Sequence, residues 1–331
     1  MGKKIRPISA RISIATVTCV GILMVASGSA QAEPDYPDRP IKIVVPFAAG
    51  GSTDLVARSM AEGLGKLWRK PVVVENREGA SGTIGARVVA NAKPDGYTLL
   101  FGTQTTVAVA PHILKTKPYD AEKDFIPITE LVHTTQLLSV PKSSKFHSLK
   151  DFIVYAKAHP DELTYGGGYG ATTDMSMRLL MSAANIDLLG VPYKGSALSM
   201  NDLLAGRLDA MFDVVTTSLP HVKAGNLRAL ATTSPKRLPT FPDVPTFAEE
   251  GYPNFPNVWF GLFAPAGTPF DIVQKIADDS RKVLNEPERK KILVAAPLSI
   301  VASSPEDFTK LVQDENKTWL KVVKDYNLKI Q

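Results

Sequence analysis

Residues 41–58 read Ile-Lys-Ile-Val-Val-Pro-Phe-Ala-Ala-Gly-Gly-Ser-Thr-Asp-Leu-Val-Ala-Arg, and no other stretch restricts the fold as strongly. Ile41, Ile43, Val44 and Val45 make a nearly continuous β-branched run, the pattern of a strand buried on both faces of a parallel sheet. Pro46 ends it. Gly50 and Gly51 permit a tight turn, and Ser52, Thr53 and Asp54 are helix-capping residue types ahead of apolar positions at Leu55, Val56, Met60, Leu64, Leu67 and Trp68. The predicted order is strand, glycine turn, helix start. A helix start of this kind offers unpaired N–H groups to an anion. An ordinary tight turn of an α/β protein carries the same residues, so the stretch alone leaves both readings open.

The chain that follows repeats the unit. Residues 71–75 give a second strand and complete a βαβ unit, a helix opens at Ser81 or Gly82, and Pro94-Asp95-Gly96 stops it before a third strand over 97–101. That strand runs into a polar loop, 102–106, with Thr103 and Gln104 at a strand's carboxyl end, where ligands of open parallel sheets bind. The apolar segment 131–140 reads as one strand leaving a first lobe. A helix capped by Ser148 spans 148–158, and a strand over 163–165 leads into a glycine-rich turn, 166–170. Thr172, Thr173 and Asp174 then open a helix carrying Met175, Leu179 and Leu180, so a second lobe has its own helix start suited to an anion.

Further on, the strand over 188–191 has a polar end at Tyr193 and Lys194, and a helix spans 196–205. The strand over 208–215 presents Asp213 at its carboxyl end, as a hydrogen-bond acceptor or an interlobe contact; a buried carboxylate satisfied by its neighbours has the same sequence. A short helix over 218–224 and a strand over 227–231 precede the proline-rich loop 234–257. The strand over 258–264 returns to the first lobe, and the remainder is helical over 271–284, 288–295 and 305–326.

Charge is unevenly placed in the 331 residues. Lys3, Lys4, Arg6 and Arg11 precede an uncharged apolar run, 12–25, then small residues and Ala30-Gln31-Ala32: the order of a Sec-type secretory signal peptide cleaved after Ala32. The run is shorter than the ~20 residues that span a bilayer, with an uncleaved membrane anchor as the alternative. Without residues 1–32 the formal charge falls from +5 to +1, which removes the basic face that nucleic-acid binding needs. Cys19, the single cysteine, goes with the leader, leaving no disulfide, thiol nucleophile or cysteine-held metal.

No G-x-S-x-G elbow, H-E-x-x-H helix or G-x-x-x-x-G-K-[ST] loop occurs, and His112, His133, His147, His159 and His221 share no ligand spacing, so neither a metal nor a cofactor is expected. The candidate loops lack Arg and Lys apart from Lys194. A carboxylate at residues 47–53 would be held by backbone N–H groups, hydroxyls and waters, with charge-assisted bonds of roughly 1.5–3 kcal/mol each. Such binding is reversible. Asp54, whose charge would repel an anion, is expected to point sideways and cap.

The motifs resemble one family across nearly the whole mature chain. Tyr36-Pro37-x-Arg39-Pro40-Ile41 through the glycine turn to Ala57-Arg58 is similar to the opening signature of the tripartite tricarboxylate transporter substrate-binding proteins, the TctC or Bug family. Glu75-Asn76-Arg77, Pro94-Asp95-Gly96-Tyr97-Thr98-Leu99-Leu100, Tyr193-Lys194-Gly195, Asp202-Leu203-Leu204-Ala205-Gly206-Arg207-x-Asp209, Leu227-Arg228-Ala229-Leu230-Ala231, Asp243-Val244-Pro245-Thr246 and Trp259-Phe260-Gly261-Leu262 continue the resemblance in order.

The resemblance implies an α/β, two-lobed type II periplasmic binding protein, a Venus flytrap whose lobes are each a mixed β-sheet flanked by helices. Lobe 1 is expected over 33–132 and 257–331, and lobe 2 over 133–256. It implies a monomeric, periplasmic, non-enzymatic protein that passes a small carboxylate (a dicarboxylate, tricarboxylate, aromatic acid or acidic amino acid) to large and small membrane subunits. A sensor kinase as the recipient is the alternative, and a periplasmic hydrolase a remote one. The ligand residues it implies, with those read above, are Phe47, Ala48, Gly50, Gly51, Ser52 and Thr53, then Thr103 and Gln104, and across the cleft Gly168, Tyr169, Thr172, Thr173, Asp174, Tyr193 and Asp213. Asp174, where many members carry a neutral residue or histidine, and Tyr169, which could stack on an aromatic acid, argue against transferring citrate-type specificity.

Overall fold

The computed structural model describes residues 1–2, 36–114, 118–168, 170–193, 195–253, 255 and 257–325. The expected leader with Cys19 and Ala32, together with Tyr169 and Lys194, lies outside the described residues.

The β-branched run forms β1 (Ile41–Val45), followed by α1 (Ser52–Trp68) and β2 (Val72–Asn76), which pairs parallel to β1. A short 3-10 turn, Ala80–Gly82, leads into α2 (Thr83–Ala90), and β3 (Thr98–Thr103) pairs parallel to β1 on its other side. A π-helical turn, Thr105–Val109, runs directly into α3 (Ala110–Ile113). The stretch read as a polar loop is therefore strand and helix, because Thr106 closes it locally: its hydroxyl donates to the Thr103 carbonyl at 3.0 Å and accepts from the Thr103 N–H at 3.0 Å.

The segment read as one strand is two, β4 (Phe125–Thr134) and β5 (Gln136–Pro141), lying in different sheets with Thr135 between them. In the second lobe follow α4 (Leu149–Ala158), β6 (Thr164–Gly168), α5 (Thr172–Ala184), β7 (Leu189–Tyr193) and α6 (Ser196–Leu204). β8 (Ala210–Val214), α7 (Val215–Lys223) and β9 (Leu227–Thr232) complete it. Gly166, Gly167 and Gly168 belong to strand β6 rather than to a turn. A Cβ on Gly166 would stand 2.4 Å from Leu208 Cδ1 and 3.0 Å from Ser199 Cβ, so glycine lets α6 and the chain entering β8 close onto the sheet.

The chain returns as β10 (Val258–Pro265), antiparallel between β3 and β4, then α8 (Phe270–Leu284), α9 (Pro287–Ala295), the two-residue β11 (Ser299–Ile300) and α10 (Pro305–Asp325). The sheets run β11-β4-β10-β3-β1-β2 and β7-β6-β8-β5-β9. Both are mixed, and both are covered on two faces. In the first, Ile41, Ile43 and Val45 pack with α1 and α8, while Val44, Leu100 and Phe263 pack with α2 and α10. In the second, Leu138, Phe212 and Tyr165 pack with α4 and α5, and Met211 with α6. Two-sided burial is why these strands read as continuous apolar runs.

Candidate functional site

Parallel strands β1, β2 and β3 end at one edge of the first sheet, and β6, β7 and β8 at one edge of the second. The α1 edge is built by Asp54. Gly50, at φ 89°, takes the left-handed conformation that glycine supplies without strain, and its N–H donates to Asp54 Oδ2 at 3.0 Å. Arg58 Nε donates to the same oxygen at 2.9 Å, and Asn76 Nδ2 donates to Asp54 Oδ1 and to the Phe47 carbonyl, each at 3.0 Å. Burial alone would raise the Asp54 carboxyl; the bonds from Arg58, Gly50 and Asn76 outweigh it and hold the group below the usual carboxylate range. Gly51 is the N-cap, and no side chain caps α1. The helix dipole and its first N–H groups thus face the edge uncovered.

The α5 edge repeats this chemistry. Gly170, at φ 71°, donates to Asp174 Oδ2 at 2.9 Å, Arg178 Nε donates to that oxygen at 3.0 Å, and the Tyr165 hydroxyl donates to Oδ1 at 3.0 Å. Among the described residues no side chain within the lobe caps α5, and Thr173 Oγ1 is buried without a hydrogen-bond partner. The two edges meet. Thr172 N donates to Thr105 Oγ1 at 3.0 Å, and the two hydroxyls lie 2.6 Å apart. Met175, one turn further along α5, joins the core cluster that holds Val107 and Ala108 of the π turn.

Among the sequence-read residues, Phe47, Ala48, Gly50, Gly51, Ser52 and Thr53 line the first edge, and Gly168, Thr172 and Thr173 line the second. Asp174, Tyr193, Thr103, Gln104 and Asp213 spend hydrogen bonds within the protein, and Tyr169 lies outside the described residues. Asp174 is 3% exposed, one oxygen holding its own turn and the other the Tyr165 hydroxyl of β6, so it shapes the backbone at this edge. The Tyr193 hydroxyl donates to Asp202 Oδ2 at 2.6 Å. Thr103 is locked to Thr106, and Gln104 turns its amide to Glu315 Oε2 on α10 at 2.7 Å. Asp213 accepts from Thr217, with the Val214 backbone and the Ser196 hydroxyl as further partners, and among the described residues these all lie in the second lobe. Its burial raises the carboxyl to about 6.

Arg58, Asn76, Tyr165, Arg178 and Thr105 escaped the sequence reading. The two arginines had a signal, the G-x-x-x-D-x-x-x-R pattern present at Gly50 and again at Gly170. Among the described residues no group of three His, Cys, Asp or Glu could hold a metal. Nor, among them, is any helix long and apolar enough to cross a membrane.

Two mixed sheets flanked by helices, linked by two crossings of the chain and facing each other across helix starts, define a type II periplasmic binding protein. Residues 56–328 match the tripartite tricarboxylate transporter family receptor, and the chain belongs to that family. It is 33% identical over 317 residues to Protein BugT of Bordetella pertussis, covering 94% of this chain and 97% of that one. A protein from a tcbD-tcbE intergenic region of Pseudomonas sp. (strain P51) is 35% identical over 306 residues, 92% of this chain and 91% of that one. The structure of periplasmic binding protein BugD superposes with a TM-score of 0.83 at 35% identity, covering 89% of this chain and all of that one. An R. palustris protein with adipate gives 0.84 at 36% identity over 88% of this chain and 98% of its own. MatC from Rhodopseudomonas palustris with bound malate gives 0.82 at 34%, over 87% and 100%.

Proposed function

We propose that the chain is a solute-binding receptor that closes its two lobes on a small organic carboxylate and delivers it to the large and small membrane subunits of a tripartite tricarboxylate-type transporter. The observation that carries this reading is the recurrence of one turn, Gly50 to Arg58 and Gly170 to Arg178, at facing edges. In both, an Asp–Arg pair is drawn aside from the helix start, although at α5 the first N–H is taken by Thr105 Oγ1. Two such helix starts suit a ligand with two acidic ends. Adipate and malate, the diacids bound by the two R. palustris relatives, support that choice. The protein does no chemistry on its ligand: backbone N–H groups and hydroxyls bind, and release needs no bond broken. It acts as a periplasmic monomer after export and cleavage following Ala32.

Isothermal titration of the mature protein against adipate, malate, citrate, benzoate and aspartate tests the reading. Saturable binding of at least one diacid is expected, and no binding across the panel overturns it. Loss of uptake of that acid on deleting the membrane subunits tests the delivery step.

A further inference from the structure

The contact between the lobes is anchored from behind by the C-terminal helix. Gln104 stands at the start of the π turn, and its Nε2 donates to Glu315 Oε2 of α10 at 2.7 Å. Trp319 Nε1 donates to the same oxygen at 3.0 Å. The next residue after Gln104 is Thr105, whose hydroxyl takes the first N–H of α5 from the opposite lobe. Gln104 is fully buried and, among the described residues, its Oε1 has no partner, so its Nε2 carries the bond that holds the amide. The turn itself is stiff: Thr106 is bonded to Thr103 on one side, and its carbonyl accepts from the buried Tyr119 hydroxyl on the other. Phe308, Val312 and Trp319 of α10 pack against Val107, Ala108 and Val109. A rigid turn clamped at its first residue moves as one piece with α10. π-Helical turns are frequent at functional sites.

We infer that Glu315 is a positioning residue for lobe closure: through Gln104 it sets the π turn that presents Thr105 to Thr172, and so biases the receptor toward the closed state. The functional consequence rests on the carboxylate-receptor reading; the structural one rests on the Thr105–Thr172 bond alone. Both bonds to Glu315 end on a single oxygen, which an amide oxygen can replace. Glu315→Gln therefore retains the anchor, whereas Glu315→Leu leaves the Gln104 and Trp319 donors buried and unpaired.

The test measures interlobe distances by pulsed electron paramagnetic resonance on ligand-free protein, with spin labels on Glu78→Cys and Leu198→Cys, exposed positions beside the two edges, and Cys19→Ser wherever the leader is retained. Thr105→Val and Glu315→Leu should each shift the distribution to longer distances, and the double variant should go no further than Thr105→Val. Glu315→Gln and Thr105→Ser should overlay the parent. In titrations with adipate or malate, the two disruptive variants should each lose about tenfold in affinity without additivity. Gln104→Leu carries the same expectation and replaces Glu315→Leu if that variant does not fold. An unchanged distance in Glu315→Leu or Gln104→Leu, or additive effects with Thr105→Val, overturns the inference. Because the distances are measured without ligand, they stand whichever acid binds; a failed titration with intact distance shifts counts against the receptor reading only.

Discussion

Asp54 and Asp174 stand in the same relation to the turns that precede them. One oxygen of each takes the N–H of a glycine one helical turn back and the Nε of an arginine one turn on: Gly50 at 3.0 Å and Arg58 at 2.9 Å in the first lobe, Gly170 at 2.9 Å and Arg178 at 3.0 Å in the second. The other oxygen is fastened to a strand, by Asn76 at the end of β2 and by Tyr165 in β6, both at 3.0 Å. A bare carboxylate in the first turn of a helix favours the helix but repels an incoming anion. Pairing it with arginine and pulling it behind the turn keeps the first effect and suppresses the second.

Removing Asp54 should therefore weaken carboxylate binding by loosening the turn. Asp54→Ala is expected to reduce affinity for adipate or malate at least tenfold, by isothermal titration, with secondary structure retained. It also has a pH signature. The folded pKa lies below the unfolded value of about 3.9, so the stability Asp54 contributes is full above that pH and is lost as the pH falls through the folded value. Urea unfolding from neutral to acid pH should show Asp54→Asn flattening that acid limb. An identical acid limb would show that the carboxylate is not strengthened by its partners.

Much of this was legible in the chain because it is local. The β-branched run of β1, the residue types opening α1 and the Ser148 cap, which accepts from Asp151 N at 3.1 Å, all act within a few residues. Gly166 to Gly168 misread as a turn because glycine is also what a strand needs where a helix presses close. Thr105 belonged to the polar run, but its pairing gave no signal: its partner, Thr172, is brought to it only by the crossing of the chain between sheets. The polar run after β3 looked like a ligand loop, yet Thr103 is tied to Thr106, the Gln104 Nε2 to Glu315 and the Thr105 hydroxyl to Thr172.

Gly51 and Gly85 separate binding from folding. A Cβ on Gly51 would find only Thr53 Oγ1, at 3.9 Å, and φ −84° suits any residue, so Gly51→Val should keep its unfolding midpoint and lose diacid binding by occupying the space before α1. At Gly85 a Cβ would lie 2.8 Å from the Arg77 carbonyl oxygen and 2.9 Å from Pro46 Cα, both backbone. Gly85→Ala should cost roughly 1–3 kcal/mol of stability. Calorimetry and titration on both variants check the contrast. Intact affinity in Gly51→Val would remove α1 from the site.

Asp279 ties α8 to α1. It is 3% exposed, accepts from Trp68 Nε1 at 2.7 Å, and faces Lys275 at 2.9 Å and Lys282 at 2.8 Å. Asp279→Ala leaves the largely buried indole N–H without an acceptor, a loss of about 1–3 kcal/mol. Denaturant unfolding should show it, while diacid affinity stays at the parent value because the tie lies away from both helix starts. A neutral effect on stability would mean that water replaces the carboxylate at Trp68.

Asp213 should act in the opposite sense to Asp54. It is 2% exposed, burial is the main influence on it, and its carboxyl rises to about 6 despite bonds from Thr217, the Val214 backbone and Ser196. A folded pKa above the unfolded value means stability is full below about pH 4 and declines as pH rises through the folded value near 6. At pH 7.5 the buried charge then costs on the order of 3 kcal/mol, which a neutral amide of the same shape avoids. Asp213→Asn is expected to be more stable than the parent at pH 7.5 and to lose that advantage by pH 4. Denaturant midpoints at the two pH values decide it, and an advantage independent of pH, or a destabilised variant at pH 7.5, would show that the charged form is favoured in the fold.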